Sequence, residues 1–314
     1  MSRIFLRCAG IIGVLLAVGG TAISAPITFI TALPVAQDQL VVRSYQEGKF
    51  GSTDSENSYY LLFPQTFAYG PTGSLALFAT VGLVDNYLVQ PEATHRVTRN
   101  SSGFGDSLFF ARYTLIHIDW PPDPVEPNGG ATLRFTPLAG AYLPTGRYNI
   151  ADAYGRLPLS MQTGSGSVDP YWGAAAGYQT ADYELDWDAT YRYNTAASSG
   201  FRLGNEARTD LSFQYRVWPW RLPAGVSDYL LLVMETNLIW DGISRIAGAP
   251  NLNTGGFTWF IDFGTYYATP QGTFGGVVQI PVVQSLNGVG QIPVHLRVQL
   301  YFERYFGLPS LLGG

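Results

Sequence analysis

Long stretches of this sequence alternate between apolar and polar side chains. The clearest lie at 182–194, 210–217 and 294–303. Because successive side chains of a β-strand point to opposite faces, each stretch predicts a strand with one face toward an apolar medium and the other toward water. Strands of soluble proteins average about 5–6 residues. A dozen residues tilted near 40° instead rise about 30 Å, which is the thickness of a membrane's apolar layer.

This pattern predicts an all-β fold, a closed antiparallel transmembrane β-barrel of about twelve strands with long extracellular loops. A soluble β-sandwich is the alternative, since its strands also alternate, but strand length argues against it. An even strand number returns the chain to the side on which it began, as single-chain outer-membrane barrels require. The predicted strands cover residues 39–49, 57–69, 73–85, 104–118, 131–142, 168–179, 182–194, 206–218, 228–241, 256–268, 272–284 and 292–306.

The first residues resemble a secretory signal peptide. Arg3 and Arg7 precede a short apolar run, and small residues at 22–24 favour cleavage after Ser24. The only cysteine, Cys8, lies within this segment. The rest of the chain has no apolar run of the roughly 20 residues that a membrane helix needs. A barrel is then the remaining way to cross a bilayer with every backbone group paired.

The predicted organisation has four parts. Residues 1–24 form a cleaved signal peptide, 25–38 a lead-in, 39–306 the barrel and 307–314 a C-terminal extension. The lead-in is apolar but does not alternate. We expect it either to enter the barrel as a plug or to lie across the periplasmic mouth, and in both cases to meet an apolar ligand. A disordered lead-in is the alternative. The plug and ligand candidates are Phe29, Ile30 and Leu33.

Two connections are long, at 86–103 and 143–167. We expect both on the outer side, and the second, with Tyr148 and Tyr154, to fold over the mouth. Aromatic residues also gather near the strand ends, which is typical of the two interfacial girdles of a membrane barrel. They are Tyr59, Tyr60, Tyr69, Trp120, Tyr171, Trp172, Trp218, Trp220, Tyr266, Tyr267, Tyr305 and Phe306.

Charged residues on the polar strand faces are candidates for the lumen lining, with arginines facing acids across the lumen. A metal cluster is the alternative for the acidic run of 182–188, but carboxylates two positions apart on a strand lie about 7 Å apart. We therefore expect no metal and no cofactor. The lining candidates are Arg112, Arg134, Glu184, Asp186, Asp188, Arg192, Arg208, Asp210, Arg216, His295 and Arg297.

Three histidines, His95, His117 and His295, are the candidate bases for an enzyme. No sequence signature links any of them to a nucleophile or to a paired acid. The sequence therefore predicts a protein without catalytic residues.

Several motifs carry a family resemblance. They are Pro26–Ala36, Gly105-Asp106, Leu143-Pro144-Thr145-Gly146, and Gly164-Ser165-Gly166-Ser167-Val168-Asp169. With them the chain resembles the MetA-pathway phenol-degradation family of outer-membrane transporter-like proteins, in the wider group of the long-chain fatty acid channel. The resemblance covers nearly all of the chain after the signal peptide. It implies an outer-membrane barrel associated with uptake of hydrophobic or aromatic compounds.

The predicted function is passive uptake of small solutes, including hydrophobic or aromatic ones, through the outer membrane. A plugged structural or adhesive barrel is the alternative, and a lipid-acting outer-membrane enzyme comes third. The expected partners are outer-membrane lipids, a small solute and the barrel-assembly machinery. A net charge of −5 with few basic residues argues against nucleic acid. The sequence leaves the oligomeric state open.

Overall fold

The computed structural model describes residues 26–92, 95–121, 130–220 and 228–308. Its strands are β1 (Gln39–Ser52), β2 (Asn57–Tyr69), β3 (Leu75–Glu92), β4 (His95–Phe104), β5 (Ser107–Tyr113), β6 (Ile116–Trp120), β7 (Ala131–Leu143), β8 (Ala151–Asp152) and β9 (Gly155–Arg156). A short 3-10 helix, Leu159–Met161, follows β9. The remaining strands are β10 (Asp169–Thr180), β11 (Tyr183–Arg192), β12 (Phe201–Arg202), β13 (Glu206–Trp218), β14 (Tyr229–Asp241), β15 (Arg245–Ile246), β16 (Ala249–Pro250), β17 (Gly256–Thr269), β18 (Gly272–Leu286) and β19 (Val294–Gly307).

The sheet closes on itself through antiparallel pairs. The last strand, β19, pairs with β1 over its whole length, from Gln39↔Gly307 to Gly51↔Val294. On the opposite side β7 pairs with β10, which joins the two halves of the sheet. Counting β4, β5 and β6 as one interrupted strand gives twelve barrel strands. The predicted twelve-stranded antiparallel barrel is therefore confirmed.

The interrupted fourth strand differs from its prediction as a single stretch. β4 pairs with the C-terminal part of β3, from Leu83↔Phe104 to Glu92↔His95, and the two strands form a hairpin that we call the 3/4 hairpin. β5 lies between β3 and β7, and β6 pairs with β7. The predicted long loop at 86–103 is thus wrong, because these residues extend two strands of the sheet. The prediction missed this because Asn86, Asn100 and Gly103 resemble turn residues.

One end of the barrel, here called the terminal end, carries Gln39 and Gly307. The other, here called the loop end, carries the 3/4 hairpin and the connection 144–168. A second group of loops there is tied together by short pairs of β12 with β15 and of β15 with β16. At the terminal end the chain turns tightly after Tyr69. Gly70 is required in that turn because a Cβ would lie 2.3 Å from the Ala36 carbonyl oxygen.

The apolar faces of the strands look outward. In β13, Leu211 is 52% exposed and Phe213 39%, while their neighbours Asp210 and Gln214 are fully buried. β19 repeats this, with Leu300 and Phe302 exposed and Arg297 and Gln299 buried. Apolar side chains that cover the outside of a closed sheet match the lipid-facing belt of a membrane barrel.

Aromatic residues mark both rims of this belt, but not all of those predicted. Trp120, Trp172, Trp218, Trp220 and Tyr267 are exposed, and Trp218 stacks on Tyr267 with ring centroids 6.5 Å apart. Tyr171, Tyr266 and Tyr305, predicted in the girdles, instead point inward and are buried. Sequence position near a strand end does not reveal which face a ring occupies, which explains the error.

The predicted signal peptide, residues 1–24, and most of the C-terminal extension, 309–314, lie outside the described residues. No helix in the described part of the chain is long and apolar enough to span a membrane.

Replacing Leu211 by Arg tests the lipid-facing assignment. An arginine near the middle of a lipid-facing strand should lower the free energy of unfolding in phospholipid vesicles by about 2–4 kcal/mol. Urea titration monitored by tryptophan fluorescence measures this. Leu252→Arg is the matched control, since Leu252 is 63% exposed but lies in a connection at the loop end. Equal costs at the two positions would contradict a membrane-facing belt.

Candidate functional site

The lead-in segment lies inside the barrel. Residues 27–35 are mostly buried, and Ile27 and Ala32 are at most 1% exposed. The segment enters at the terminal end, where Asp38 donates its backbone N–H to the Gly70 carbonyl (2.8 Å). It then reaches the middle of the lumen at Ile27. We call residues 26–37 the inner segment.

Acidic side chains on one wall accept hydrogen bonds from the inner segment. Glu235 accepts the N–H groups of Ile27 (2.9 Å) and Thr28 (3.2 Å), and also the Thr28 hydroxyl (2.6 Å). Asp188 accepts the N–H of Ile30 at 3.2 Å. This acidic wall therefore binds main-chain donors.

Basic and hydroxyl groups bind the segment's carbonyl oxygens. The Arg112 guanidinium donates to the carbonyl oxygens of both Thr31 and Leu33. Arg208 donates to the Thr28 carbonyl at 2.8 Å, and the Thr136 hydroxyl to that of Ala32 at 3.3 Å. Main-chain groups of the segment are thus paired with charged side chains of the wall, as buried polar groups require.

Apolar contacts also hold the inner segment in place. Ile27 packs among Leu231, Val233, Tyr266 and Val277, all of them inward-facing and buried. The wall around Ile27 is therefore apolar, although strand alternation predicts inward faces that meet water. The continuous apolar run at the start of β14 hid this face, because it shows no alternation.

Most of the predicted lining residues lie inside the barrel, but their pairing differs from the prediction. Ion pairs form between neighbours on one wall rather than across the lumen, as in Arg192 with Asp169 and Arg208 with Asp210. Arg192 and Asp169 lie on the neighbouring strands β11 and β10, which are about 4.8 Å apart, whereas Arg208 and Asp210 lie two positions apart on β13. Buried lining candidates are Arg112, Glu184, Asp186, Asp188, Asp210, Arg216 and Arg297, and Arg134, Arg192 and Arg208 are partly buried.

Two candidates do not line the open lumen. His295 is exposed at the loop-end rim, where its Nε2 lies 2.9 Å from the Ser52 hydroxyl and 3.1 Å from the Ser52 carbonyl oxygen. Arg216 bonds Asp182 and the carbonyl oxygens of Ala181 and Pro219, and so ties together two turns at the terminal end. In the alternation of its strand, each of these residues occupies a position that should face the lumen, which is why both were predicted to line it. Each lies near the end of its strand, however, and so its side chain is at the rim of the barrel.

A cavity of about 310 Å³ separates the inner segment from the opposite wall. Its aromatic side is formed by Phe78 and Phe110, whose rings stack with centroids 4.4 Å apart, and by Tyr171, which meets Phe110 edge-on at 6.2 Å. Phe29, Ile30 and Leu33 of the inner segment also line it. We call this space the interior cavity.

A second cavity, of about 330 Å³, opens at the loop end. We call it the mouth cavity. Tyr148 and Leu159 line it from the long connection, and Phe201 lines it from the facing loop. The two cavities share Pro64 and Tyr142 in their walls. The guanidinium of Arg192 lies 3.9 Å from the centroid of the Tyr142 ring. Tyr142 is therefore at the boundary between mouth and interior.

The sequence motifs at 105–106, 143–146 and 164–169 meet at the base of the long connection. Asp106 accepts the N–H groups of Gly146 (3.2 Å) and Ser165 (2.7 Å). The backbones of Gly146 and Gly164 touch, and a Cβ on Gly164 would lie 2.5 Å from the Gly146 carbonyl carbon. One carboxylate and two glycines therefore clamp both ends of the connection, which holds Tyr148 at the mouth.

The connection also docks onto the 3/4 hairpin. Arg99 of β4 donates two hydrogen bonds, both 2.8 Å, to the two carboxylate oxygens of Asp152. The hydrogen bond from Arg99 lowers the pKa of Asp152. Beside this pair, Leu88 packs against Leu157 and Met161. The predicted mouth loop is thus a folded wall of the mouth cavity, and Tyr154 lies exposed at its tip.

The other two histidines lie apart from both cavities. His95 is at the tip of the 3/4 hairpin, and His117 on β6 lies 3.1 Å from Asp119, with both side chains largely exposed. Within the described ranges, no three His, Cys, Asp or Glu side chains are placed to hold a metal ion.

Sequence reasoning missed several residues that hold the inner segment or line its cavity. Glu235 had a usable signal, since it is the only charged residue between Tyr229 and Trp240. Thr136 and Phe110 had none, because a threonine or phenylalanine on a strand is ordinary. Arg43, which pairs with Glu303, was visible only as one more polar position on an alternating strand.

Comparison with known proteins agrees with this architecture. The family model for the MetA pathway of phenol degradation matches residues 37–274. No curated protein matched the chain. An outer-membrane channel from Pseudomonas putida F1 has a similar structure, with a TM-score of 0.59 and 16% identity over 87% of this chain and 97% of that one. This likeness confirms the fold of an outer-membrane barrel.

Two other solved structures are more distant. The β domain of the Bordetella autotransporter BrkA has a TM-score of 0.44, with 13% identity over 85% of this chain and 99% of that domain. The CymD monoaromatic hydrocarbon channel has a TM-score of 0.36, with 10% identity over 88% of this chain and 90% of that one.

Replacing Arg112 by Leu should loosen the inner segment. Hydrogen bonds to charged groups are worth about 1.5–3 kcal/mol each, so losing two should raise exposure of the segment at least tenfold. Maleimide labelling of a Leu33→Cys reporter in a Cys8→Ser background measures that exposure. Arg134→Leu is the control, because Arg134 bonds Gln179 on a neighbouring strand. An unchanged labelling rate in Arg112→Leu would contradict the clamp.

The Arg99–Asp152 pair should make docking of the long connection sensitive to acid alone. A lowered pKa means that Asp152 contributes stability above its ordinary value of 3.8, and the contribution is lost as the pH falls through the lowered pKa. Proteolysis of the connection should therefore be constant from about pH 8 to 5 and increase below about pH 4. Asp152→Asn should show high, pH-independent cleavage. A transition near neutral pH in the parent protein would contradict this assignment.

Proposed function

The chain belongs to the MetA-pathway phenol-degradation family, and on that premise we propose that it is a passive outer-membrane channel for small solutes, apolar and aromatic ones included, closed in this state by its inner segment. The solute enters the mouth cavity, passes Tyr142 and occupies the interior cavity. The inner segment then has to move for the solute to reach the periplasm through the terminal end. No covalent step is involved.

The observation that carries this proposal is that the two cavities adjoin. Both are lined by Pro64 and Tyr142, and each has a volume above 300 Å³. A cavity of roughly 150 Å³ is enough for benzene in another protein, so each space suits a single-ring compound. Between them they extend from the loop end to the inner segment. A purely structural barrel needs no such adjoining cavities.

The way the inner segment is held also supports a gate. Its main chain is bound by side chains of five separate strands, through Arg112, Thr136, Asp188, Arg208 and Glu235. It forms no ladder with a barrel strand. Its release therefore breaks a limited set of hydrogen bonds and leaves the barrel wall intact. The lipid-facing belt stays in place throughout.

Assembly in the membrane is part of the proposal. We propose that the barrel-assembly machinery recognises β19, an alternating strand whose last aromatic residue is Phe306. The same strand closes the barrel by pairing with β1. The extension beyond Gly307 would then follow the recognised strand rather than belong to it.

Deleting residues 26–37 tests the channel. The deletion variant should give stepwise conductance in planar bilayers, whereas the parent should be mostly closed, because the inner segment blocks the terminal half of the lumen. Cells expressing the variant should also take up toluene faster. Heat-modifiable mobility on gels checks that the variant still folds as a barrel.

A folded deletion variant without conductance would contradict the proposal and favour the structural or adhesive barrel. Hydrolysis of phospholipid by the parent protein, lost on replacing His295, would instead favour an enzyme.

A further inference from the structure

Tyr142 lines both the mouth cavity and the interior cavity, where the two adjoin. It is the last residue but one of β7 and is partly exposed. Pro64 is the other residue that lines both cavities, but its ring is closed onto the backbone of β2 and cannot swing aside. A tyrosine ring turns about two side-chain bonds. Tyr142 is therefore the movable side chain at the boundary of the two cavities.

Two contacts hold the Tyr142 ring in its present position. The guanidinium of Arg192 lies 3.9 Å from the ring centroid, which is within cation–π distance. Tyr171 meets the ring edge to face, with the centroids 5.6 Å apart and the planes at 83°. Arg192 and Tyr171 lie opposite each other on the neighbouring strands β11 and β10. Removal of Arg192 would therefore free one face of the ring.

Arg192 is fixed in turn by two aspartates that the sequence motifs supply. Its Nη2 lies 2.5 Å from Asp169 Oδ2 and 4.0 Å from Asp106 Oδ2. Asp169 also accepts the Ser167 hydroxyl at 2.8 Å, which holds its carboxylate in place. Asp106 is the carboxylate that clamps the long connection. Both motifs thus position the guanidinium over the Tyr142 ring.

An anionic solute is the alternative partner for Arg192. It would have to displace Asp169, whose side chain is fully buried, and so leave that carboxylate without its cation in a desolvated site. Loss of one partner of a buried ion pair is strongly destabilising. The ion pair therefore makes Arg192 a fixed clamp on the ring rather than a binding group for solutes.

We propose that Tyr142 determines which solutes reach the interior cavity by their width, and that Arg192 is the positioning residue that holds its ring across the boundary. The proposal rests on the proposed channel function and deepens it, because it names the residue that sets the size limit. Compact solutes pass the ring where it stands. Broader solutes require the ring to rotate away from Arg192.

Thiol labelling of the full-length barrel in detergent tests this proposal. In the Cys8→Ser background, Thr80→Cys places a reporter on the interior cavity and Ser199→Cys places one on the mouth cavity. Each reporter is treated with methyl methanethiosulfonate, which is compact, and with a methanethiosulfonate that carries a naphthyl group. The rate of each modification is measured by mass spectrometry. Heat-modifiable mobility checks that every variant folds as a barrel.

Tyr142→Ala should raise the rate of the naphthyl reagent at Thr80→Cys about tenfold or more, and that of the methyl reagent less than about twofold, because only the broad reagent waits for the ring to move. Neither rate at Ser199→Cys should change, since the mouth cavity lies before the boundary. Tyr142→Phe keeps the ring and should leave all rates within about twofold of the parent.

Arg192→Leu tests the positioning role. It should raise the naphthyl rate at Thr80→Cys several-fold and leave the methyl rate unchanged, a dependence on reagent size that a general loss of stability would not produce. Arg202→Leu is the matched control. Its guanidinium also lies over a tyrosine ring, that of Tyr193, at 4.8 Å, but neither residue lines the two cavities. It should leave both rates unchanged.

Three results would overturn the proposal and leave the channel standing. They are equal rates of the two reagents at Thr80→Cys in the parent, a naphthyl rate that Tyr142→Ala leaves unchanged, and a naphthyl rate raised by Arg112→Leu but not by Tyr142→Ala. The last would mean that the reagent enters past the inner segment at the terminal end. The proposed function falls separately, if the folded 26–37 deletion variant does not conduct.

Discussion

In a bilayer, water is absent and every backbone N–H and C=O must find its partner within the protein. The pairing of β1 with β19 meets that requirement here, because it removes the two free edges that an open sheet would leave. All other features depend on this closure. It turns the apolar faces outward and makes a protected lumen, and it lets buried carboxylates and arginines exist at membrane depth. It also sets the terminal end, from which the inner segment enters.

Side chains of the lumen wall bind the inner segment mainly through its main-chain N–H and C=O groups. Carboxylates such as Glu235 accept its N–H groups, and Arg112 donates to its carbonyl oxygens. Charges on the wall are thereby satisfied partly by one another and partly by main-chain dipoles, which are neutral. The remaining wall of the interior cavity is mainly apolar and aromatic, with a few hydroxyl groups such as those of Thr66 and Thr80. This explains how a barrel with many inward charges can contain a mainly apolar cavity.

Prediction from the sequence succeeded where burial alternates along a strand and failed where it does not. Leu211 and Asp210 were assigned to the correct faces, because a lipid-facing and a lumen-facing residue differ sharply in polarity. Val233 and Tyr266 face inward against Ile27, and an apolar residue carries no mark that distinguishes lipid from an apolar core. The 3/4 hairpin was taken for a loop because its strands extend beyond the bilayer, where polar and turn-forming residues are allowed.

The sequence by itself determined the fold class, the strand number and the outward direction of the apolar faces, because these follow from the period of two and the thickness of a membrane. The tertiary structure alone decided which charges pair and where the inner segment lies. It alone brought Asp106, Gly146 and Gly164 together. Those features depend on contacts between residues tens to hundreds of positions apart. A local sequence pattern does not predict which distant residues meet.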